Sequence, residues 1–332
     1  MIQPVDRAPY VRPDVAAFLA YLNNAPGPKL HELEPAAARQ LIDAMRPLAD
    51  AEPDTLALIR DLTVPGPAGA LPARLYDARE RREPGPLVLF FHGGGFVVGG
   101  LYSHEPFCTR AAALLDLPIL VIDYRLAPEH PWPAAPDDCE AAARWAASAT
   151  AVLERGVTSL VLAGDSAGAT LAIVTAMALR DRPAAAPVIA QMPIYPAVDL
   201  RERAWASVTQ FGAGHMLTIE SMNWFTEQYR PDPLAVRGSP LLGDHHLMPP
   251  TLLLTAGLDP LRDQGRAYAA ALIEAGVPVI FREAVGNIHG FINFAKGIPS
   301  SVGDIAGALA ALRPMIAEAE ANRVMAEAAR TL

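Results

Sequence analysis

The stretch Leu160-Val161-Leu162-Ala163-Gly164-Asp165-Ser166-Ala167-Gly168 decides how this chain is read: an apolar run stops on G-x-S-x-G, and helix-forming residues follow at once. The pattern predicts strand, sharp turn and helix. A serine at the tip of such a turn adopts a strained backbone, and glycines two residues before and two after remove the side chains that would clash with it. Ser166 is therefore expected to hold its hydroxyl out from the end of a sheet. G-x-S-x-G alone also arises by chance, so the surrounding pattern has to decide.

Outward from this turn, apolar runs alternate with alanine-rich helical patterns. Residues 87–91, 118–122, 159–163 and 188–192 are four such runs, and 251–255 and 278–281 follow. Ahead of them, 61–64 and 71–76 flank the turn Pro65-Gly66-Pro67-Ala68-Gly69 and predict a hairpin. Strands separated by helices imply right-handed crossovers, so the expected fold class is α/β, a mostly parallel eight-stranded sheet flanked by helices. Residues 1–50 alternate helical patches with proline-rich breaks and read as a helical arm. Residues 51–332 then form the main domain, with 196–240 a helical insertion in which Trp205, Phe211, Trp224, Phe225 and Tyr229 stand among polar residues. Ligands of open parallel sheets bind beyond the carboxyl ends of the strands, where arm and insertion would cap Ser166.

At 332 residues the chain exceeds the roughly 250–300 residues of one plain core, as expected for one large domain with an added lobe. A net charge of -9 without a clustered Lys/Arg face speaks against nucleic acid as a partner. Cys108 and Cys139 make neither a disulfide framework nor a metal-ligand spacing and read as buried free thiols. Met1–Arg7 lacks a basic segment leading into an apolar core, and nowhere do roughly 18 uncharged apolar residues run together. The expectation is a cytoplasmic protein with no membrane partner.

The first chemical companion of Ser166 is Phe91-His92-Gly93-Gly94-Gly95-Phe96, directly after a strand run. Acyl transfer builds negative charge on a former carbonyl oxygen, which fixed backbone N–H groups stabilise. Gly94 and Gly95, with Ala167 after the serine, are the candidate oxyanion donors. A phosphate loop would instead continue into Lys-Ser/Thr, which is absent. Of eight histidines, His289 alone follows the last strand run, as the chain order serine, acid, histidine requires. Asp259 follows the run 251–255 and is the candidate acid; Asp263, its rival, falls in the next helix, where a carboxylate ordinarily faces the dipole. Asp244-His245-His246 mimics a metal site, but adjacent histidines on a proline-flanked loop rarely share one ion, and no metal is expected.

Together with Asp123-Tyr124-Arg125-Leu126-Ala127-Pro128-Glu129-His130-Pro131-Trp132-Pro133-Ala134-Ala135, these motifs resemble the hormone-sensitive lipase family of α/β-hydrolases, bacterial esterases sharing His-Gly-Gly-Gly and Gly-Asp-Ser-Ala-Gly. The similarity runs over about residues 75–291. It implies an α/β-hydrolase fold with a helical cap, a triad of Ser166, Asp259 and His289, an oxyanion hole from the glycine motif and Ala167, and a supporting role for His92. The implied activity is carboxylesterase, with a small ester and water as partners, no cofactor, and a leaning towards a homodimer. Phe96, Asp165, Tyr195 and Asn287 complete the expected substrate pocket. Asn287 departs from the apolar residue expected two before the histidine, and either borders the substrate or ties its loop. Asp199 matches a family position, but is read as a loop cap and left outside the site. Tyr195, Trp205, Phe211 and Trp224 are expected to fill the space a long acyl tail needs, so short to medium acyl esters are the expected substrates. The alternatives are an acyltransferase or amidase, or a non-catalytic small-ligand receptor, against which the retained His289 argues.

Overall fold

The computed structural model describes residues 9–201 and 204–330. The leader reading of Met1–Arg7, and Glu202 and Arg203 of the insertion, lie outside these residues. Eight strands form one sheet: β1 (Leu58–Gly66), β2 (Gly69–Asp77), β3 (Gly85–Phe91), β4 (Ile119–Ile122), β5 (Val157–Asp165), β6 (Val188–Ile194), β7 (Thr251–Leu258) and β8 (Val279–Ile288). Their order across the sheet is β1-β2-β4-β3-β5-β6-β7-β8. β1 and β2 are antiparallel, β2 runs antiparallel to β4, and every later neighbour is parallel. The helices are α1 (Pro13–Asn24), α2 (Pro35–Ala49), α3 (Glu105–Leu115), α4 (Ala134–Ala146), α5 (Thr150–Leu153), α6 (Ala167–Asp181), α7 (Ala206–Phe211), α8 (Ile219–Tyr229), α9 (Arg262–Glu274) and α10 (Ser301–Arg330).

The central strands read as unbroken apolar runs because both faces are covered. Leu87, Leu89, Phe91, Leu160 and Leu162 pack with α4, α6 and α9, whereas Val88, Phe90, Val161 and Ala163 pack with α3 and α10. Each such buried Leu or Phe contributes roughly 1.5–3 kcal/mol, which fixes the strand register. A third cluster joins Val15, Phe18 and Leu19 of α1 to Phe211 of the insertion and to Leu258 and Ile288 at the ends of β7 and β8. The arm therefore docks where the last two strands finish. Among the described residues no helix is long and apolar enough to cross a membrane.

Two elements differ from the sequence expectation. The hairpin turn is tighter, because Gly66 pairs with Gly69 and only Pro67 and Ala68 stand between the strands. β8 runs on to Ile288, far beyond residue 281, so residues 286–288 are strand rather than loop. As an edge strand it tolerates polar positions such as the exposed Arg282 and the half-buried Glu283, the latter paired with Arg266 on α9 at 2.7 Å. An apolar-run criterion ends too early on such a strand.

Candidate active site

β5 delivers Ser166 at the turn into α6, with φ 52° and ψ −120°. This left-handed backbone persists because the turn is packed from all sides. The Ser166 N–H donates to the Ile194 carbonyl at 2.8 Å, and a Cβ on Gly168 would fall on the carbonyl oxygen of Phe91. The tip stands where the pattern placed it.

Leu258 and Ile288 are register partners at the ends of β7 and β8, so the next residue of each strand, Asp259 and His289, emerges beside the other. His289 Nδ1 lies 2.7 Å from Asp259 Oδ2, and His289 Nε2 lies 2.8 Å from Ser166 Oγ. An ionised carboxylate only accepts, so Nδ1 donates and Nε2 keeps a lone pair for the serine proton. Asp259 is fully buried, and its other oxygen accepts from the Leu261 N–H at 2.8 Å. Asp263 lies in the first turn of α9, where it accepts from the Ser207 N–H and pairs with Arg262 and Arg266. It makes no bond to His289.

The glycine motif turns through positive φ at Gly94 (115°), Gly95 (59°) and Phe96 (64°). The Gly94 carbonyl accepts from Val97 and Val98, and the Gly93 N–H donates to Asp165 Oδ1 at 2.7 Å. Among the described residues nothing accepts from the N–H groups of Gly94, Gly95 or Ala167, and all three residues line the cavity that holds Ser166. His92, fully buried, donates from Nδ1 to the Gly93 carbonyl at 2.8 Å and stacks on Tyr124, whose hydroxyl donates to the His92 carbonyl. Arg39 of α2 clamps the same region, donating to the carbonyls of Val97 and Ala127 and pairing with Glu129. The signature 123–135 is thus the bracing of the glycine loop.

The cavity measures about 620 Å³, within the usual range for small-molecule sites. Arm and insertion both wall it, through Leu41, Ile42 and Met45 of α2 and through Met222, Phe225 and Tyr229 of α8. Phe96 lines it and stacks on Tyr229 with ring centroids 3.8 Å apart. Asp165 reaches its wall as a buried acceptor from Gly93, His104 (3.0 Å) and Tyr195 (3.2 Å). Burial pushes the Asp165 carboxyl up, but His104, the Gly93 N–H and His289 outweigh it and leave it below its ordinary value.

Two expected pocket residues are not there. Tyr195 lies behind His289, ring centroids 4.6 Å apart, because its hydroxyl is drawn to Asp165. Asn287 is fully buried and turned away, its Nδ2 donating to Asp304 at 3.1 Å; regular alternation would put it on the side of His289, but the register shifts between Ala284 and Ile288 and its side chain meets the start of α10 instead. The expected aromatic filling also changes: Trp205, Phe211 and Trp224 do not line the cavity, whereas Phe225, Tyr229 and Phe294 do. Sequence reasoning passed over His104 as one histidine among eight, and left out Asp199, which lines the cavity wall. A helical wheel on α8 would have separated Phe225 from Trp224 only with the orientation of α8 known. Cys108 and Cys139 are buried free thiols, and among the described residues no three His, Cys, Asp or Glu side chains are grouped as metal ligands.

A family model described as the alpha/beta hydrolase fold matches residues 88–293. The carboxylic ester hydrolase LipN of Mycobacterium tuberculosis is 40% identical over 260 residues, covering 74% of this chain and 67% of that protein. The ethyl acetate hydrolase of Pseudomonas putida is 36% identical over 298 residues, covering 86% of this chain and 93% of that protein. The solved structure of the ester-hydrolase EH1AB1 from the metagenome of Lake Arreo, complexed with a derivative of bipyridine phosphonate, superposes with a TM-score of 0.87 at 36% identity. It covers 93% of this chain and 99% of that one.

Proposed function

This chain belongs to the α/β-hydrolases, among the hormone-sensitive-lipase-like esterases, and hydrolyses carboxylic esters; from that premise we propose that Ser166, His289 and Asp259 carry the reaction. Ser166 Oγ attacks the ester carbonyl while His289 Nε2 takes its proton. The oxygen that becomes negative faces the N–H groups of Gly94, Gly95 and Ala167, each donor being worth about 3–4 kcal/mol of barrier. His289 returns the proton to the departing alcohol, and the acyl group stays on Ser166. Water, deprotonated by the same imidazole, then releases the acid and restores the serine. Asp259 holds the imidazole in one tautomer and stabilises its charged form without taking the proton.

The observation that carries this reading is the unbroken series of two short hydrogen bonds from Asp259 through His289 to Ser166, beside three N–H groups that have no acceptor among the described residues. We read residues 1–50 and 196–240 as the cap, which limits substrates to short and medium acyl chains; a relative named for ethyl acetate supports the short end. The test is mass spectrometry of the enzyme after an organophosphonate inhibitor. One equivalent on the peptide carrying Ser166, with loss of turnover in proportion, is expected. Full turnover with Ser166 modified would overturn the assignment.

A further inference from the structure

The end of β8 is irregular just before the proposed base. Ala256 pairs with Ala284 and Leu258 with Ile288, so Gly257 alone faces residues 285–287. Such a bulge aims the residue that follows it, but leaves backbone groups without ladder partners. Here they are taken up from outside the sheet. The Arg12 N–H donates to the Gly286 carbonyl at 3.3 Å, and Arg12 Nε donates to the Val285 carbonyl at 2.8 Å. Gly286, at φ 75°, has no side chain, and a Cβ there would meet Tyr10 and Arg12 at 2.8–3.0 Å.

The same guanidinium grips both oxygens of Asp304 in the first turn of α10, at 2.6 and 2.9 Å. Asp304 Oδ2 also accepts from Asn287 Nδ2, while Asn287 Oδ1 accepts from the Ile288 N–H at 3.0 Å. One residue further stands His289. Asp14 fastens the start of α1 to Ser300 beside this link. Three segments distant in sequence therefore meet on the bulge, and an apolar residue at 287 could not make the connection.

We infer that Arg12 and Asn287 are positioning residues for His289: the arm, through Arg12 and Asp304, holds the bulge in the shape that keeps the imidazole on line with Ser166 and Asp259. The arm is then part of the catalytic geometry as well as a wall of the cavity. The inference rests on the proposed role of His289. Misplacing a catalytic group by about 1 Å costs up to roughly 10²-fold, so a loosened bulge lowers kcat and leaves KM for a very short ester nearly unchanged. A role confined to the cavity wall would instead raise KM.

The experiment measures kcat and KM for an acetate ester with Arg12→Ala, Asn287→Ala, the double variant, Arg12→Lys and His289→Ala, all well below their thermal midpoints. Because Arg12→Ala could loosen the whole arm, Asn287→Ala, which leaves the Arg12–Asp304 pair in place, is the second route to the same quantity. Arg12→Ala and Asn287→Ala are each expected to lose about tenfold in kcat with KM within twofold. The double should be no worse than about twofold below the weaker single, because both cut one link. Arg12→Lys, which keeps a cation beside Asp304, should recover part of the loss. Unchanged kcat in the alanine variants, a loss appearing only in KM, or losses that multiply to about a hundredfold would overturn the inference. If His289→Ala itself turns over normally, the proposed triad falls and this inference with it. If His289→Ala is dead while the alanine variants are unimpaired, only the inference falls.

Discussion

At the residue scale, the roles proposed for Ser166 and Asp259 separate them from Asp263 by their hydrogen-bond partners. Ser166→Ala should lower kcat by about four to six orders of magnitude in a folded protein. Asp259→Asn should cost on the order of 10⁴, since an amide N–H donating to His289 Nδ1 would hold the imidazole in the wrong tautomer, with its proton on Nε2 facing Ser166. Asp263→Asn should change turnover little, because its partners are Ser207, Arg262 and Arg266; steady-state rates that ranked the two aspartates the other way would move the acid to Asp263. The buried His92 gives a second prediction. Burial disfavours its charged form, His104 beside it adds repulsion, and its pKa is held down to about 4, the hydrogen bond to the Gly93 carbonyl and the nearby Asp165 being too weak to restore it. A histidine whose folded pKa lies below its unfolded value of about 6.5 contributes stability above that pH and loses it as the pH falls towards 4. The contribution is on the order of 3 kcal/mol. NMR should find the His92 ring neutral at pH 5, and urea midpoints should decline between pH 6.5 and 4; a ring that titrates near 6.5 would contradict the burial argument.

At the element scale, what could be read from the chain depended on how locally each feature is specified. The turn at Ser166 and the glycine run at 93–95 dictate their own geometry, so their places at strand ends were legible. Asp259 and His289 were found because each follows a strand, and the pairing of Leu258 with Ile288 turns that separate fact into adjacency. The length of β8 was hidden by its polar edge positions, and with it the facing of Asn287. The arm and the insertion were legible as helices but not as a surface, since which side of α8 meets the glycine loop is settled only by docking. There the Phe225 ring lies against Gly95, where an added Cβ would collide with it. Gly95→Ala should therefore displace either the loop or the ring, costing about 10²–10³ in kcat, as loss of one oxyanion donor does. Phe225→Ala should instead open the cavity: kcat/KM for longer acyl chains should rise by about fourfold for each further methylene buried, at roughly 0.8 kcal/mol each. A uniform loss across an acyl series in Phe225→Ala would mean that the ring only supports Gly95.

At the scale of the whole molecule, the cavity is closed over by two segments that also belong to the core. Val15, Phe18 and Leu19 of the arm are buried against Phe211 of the insertion and the ends of β7 and β8, and Arg39 ties α2 to the segment bracing the glycine loop. A cover anchored on this scale does not peel back as one amphipathic helix would on meeting a lipid surface. The apolar face of α2, with Leu41, Ile42 and Met45, already looks into the cavity and is not presented outward. Two consequences follow for substrates. Along a soluble ester series, kcat/KM should climb with acyl length while methylenes enter the space walled by Met222, Phe225 and Tyr229, then fall once the roughly 620 Å³ is filled. Emulsified long-chain triglycerides should be turned over poorly, and the rate on a sparingly soluble ester should show no jump as it passes its solubility limit. Rates on both sides of that limit, measured with one medium-chain ester, make the comparison without changing the chemistry of the bond. A sharp rise above the limit, or a preference for the emulsion, would mean that arm and insertion open as a lid, and that the molecule works at interfaces rather than on dissolved esters.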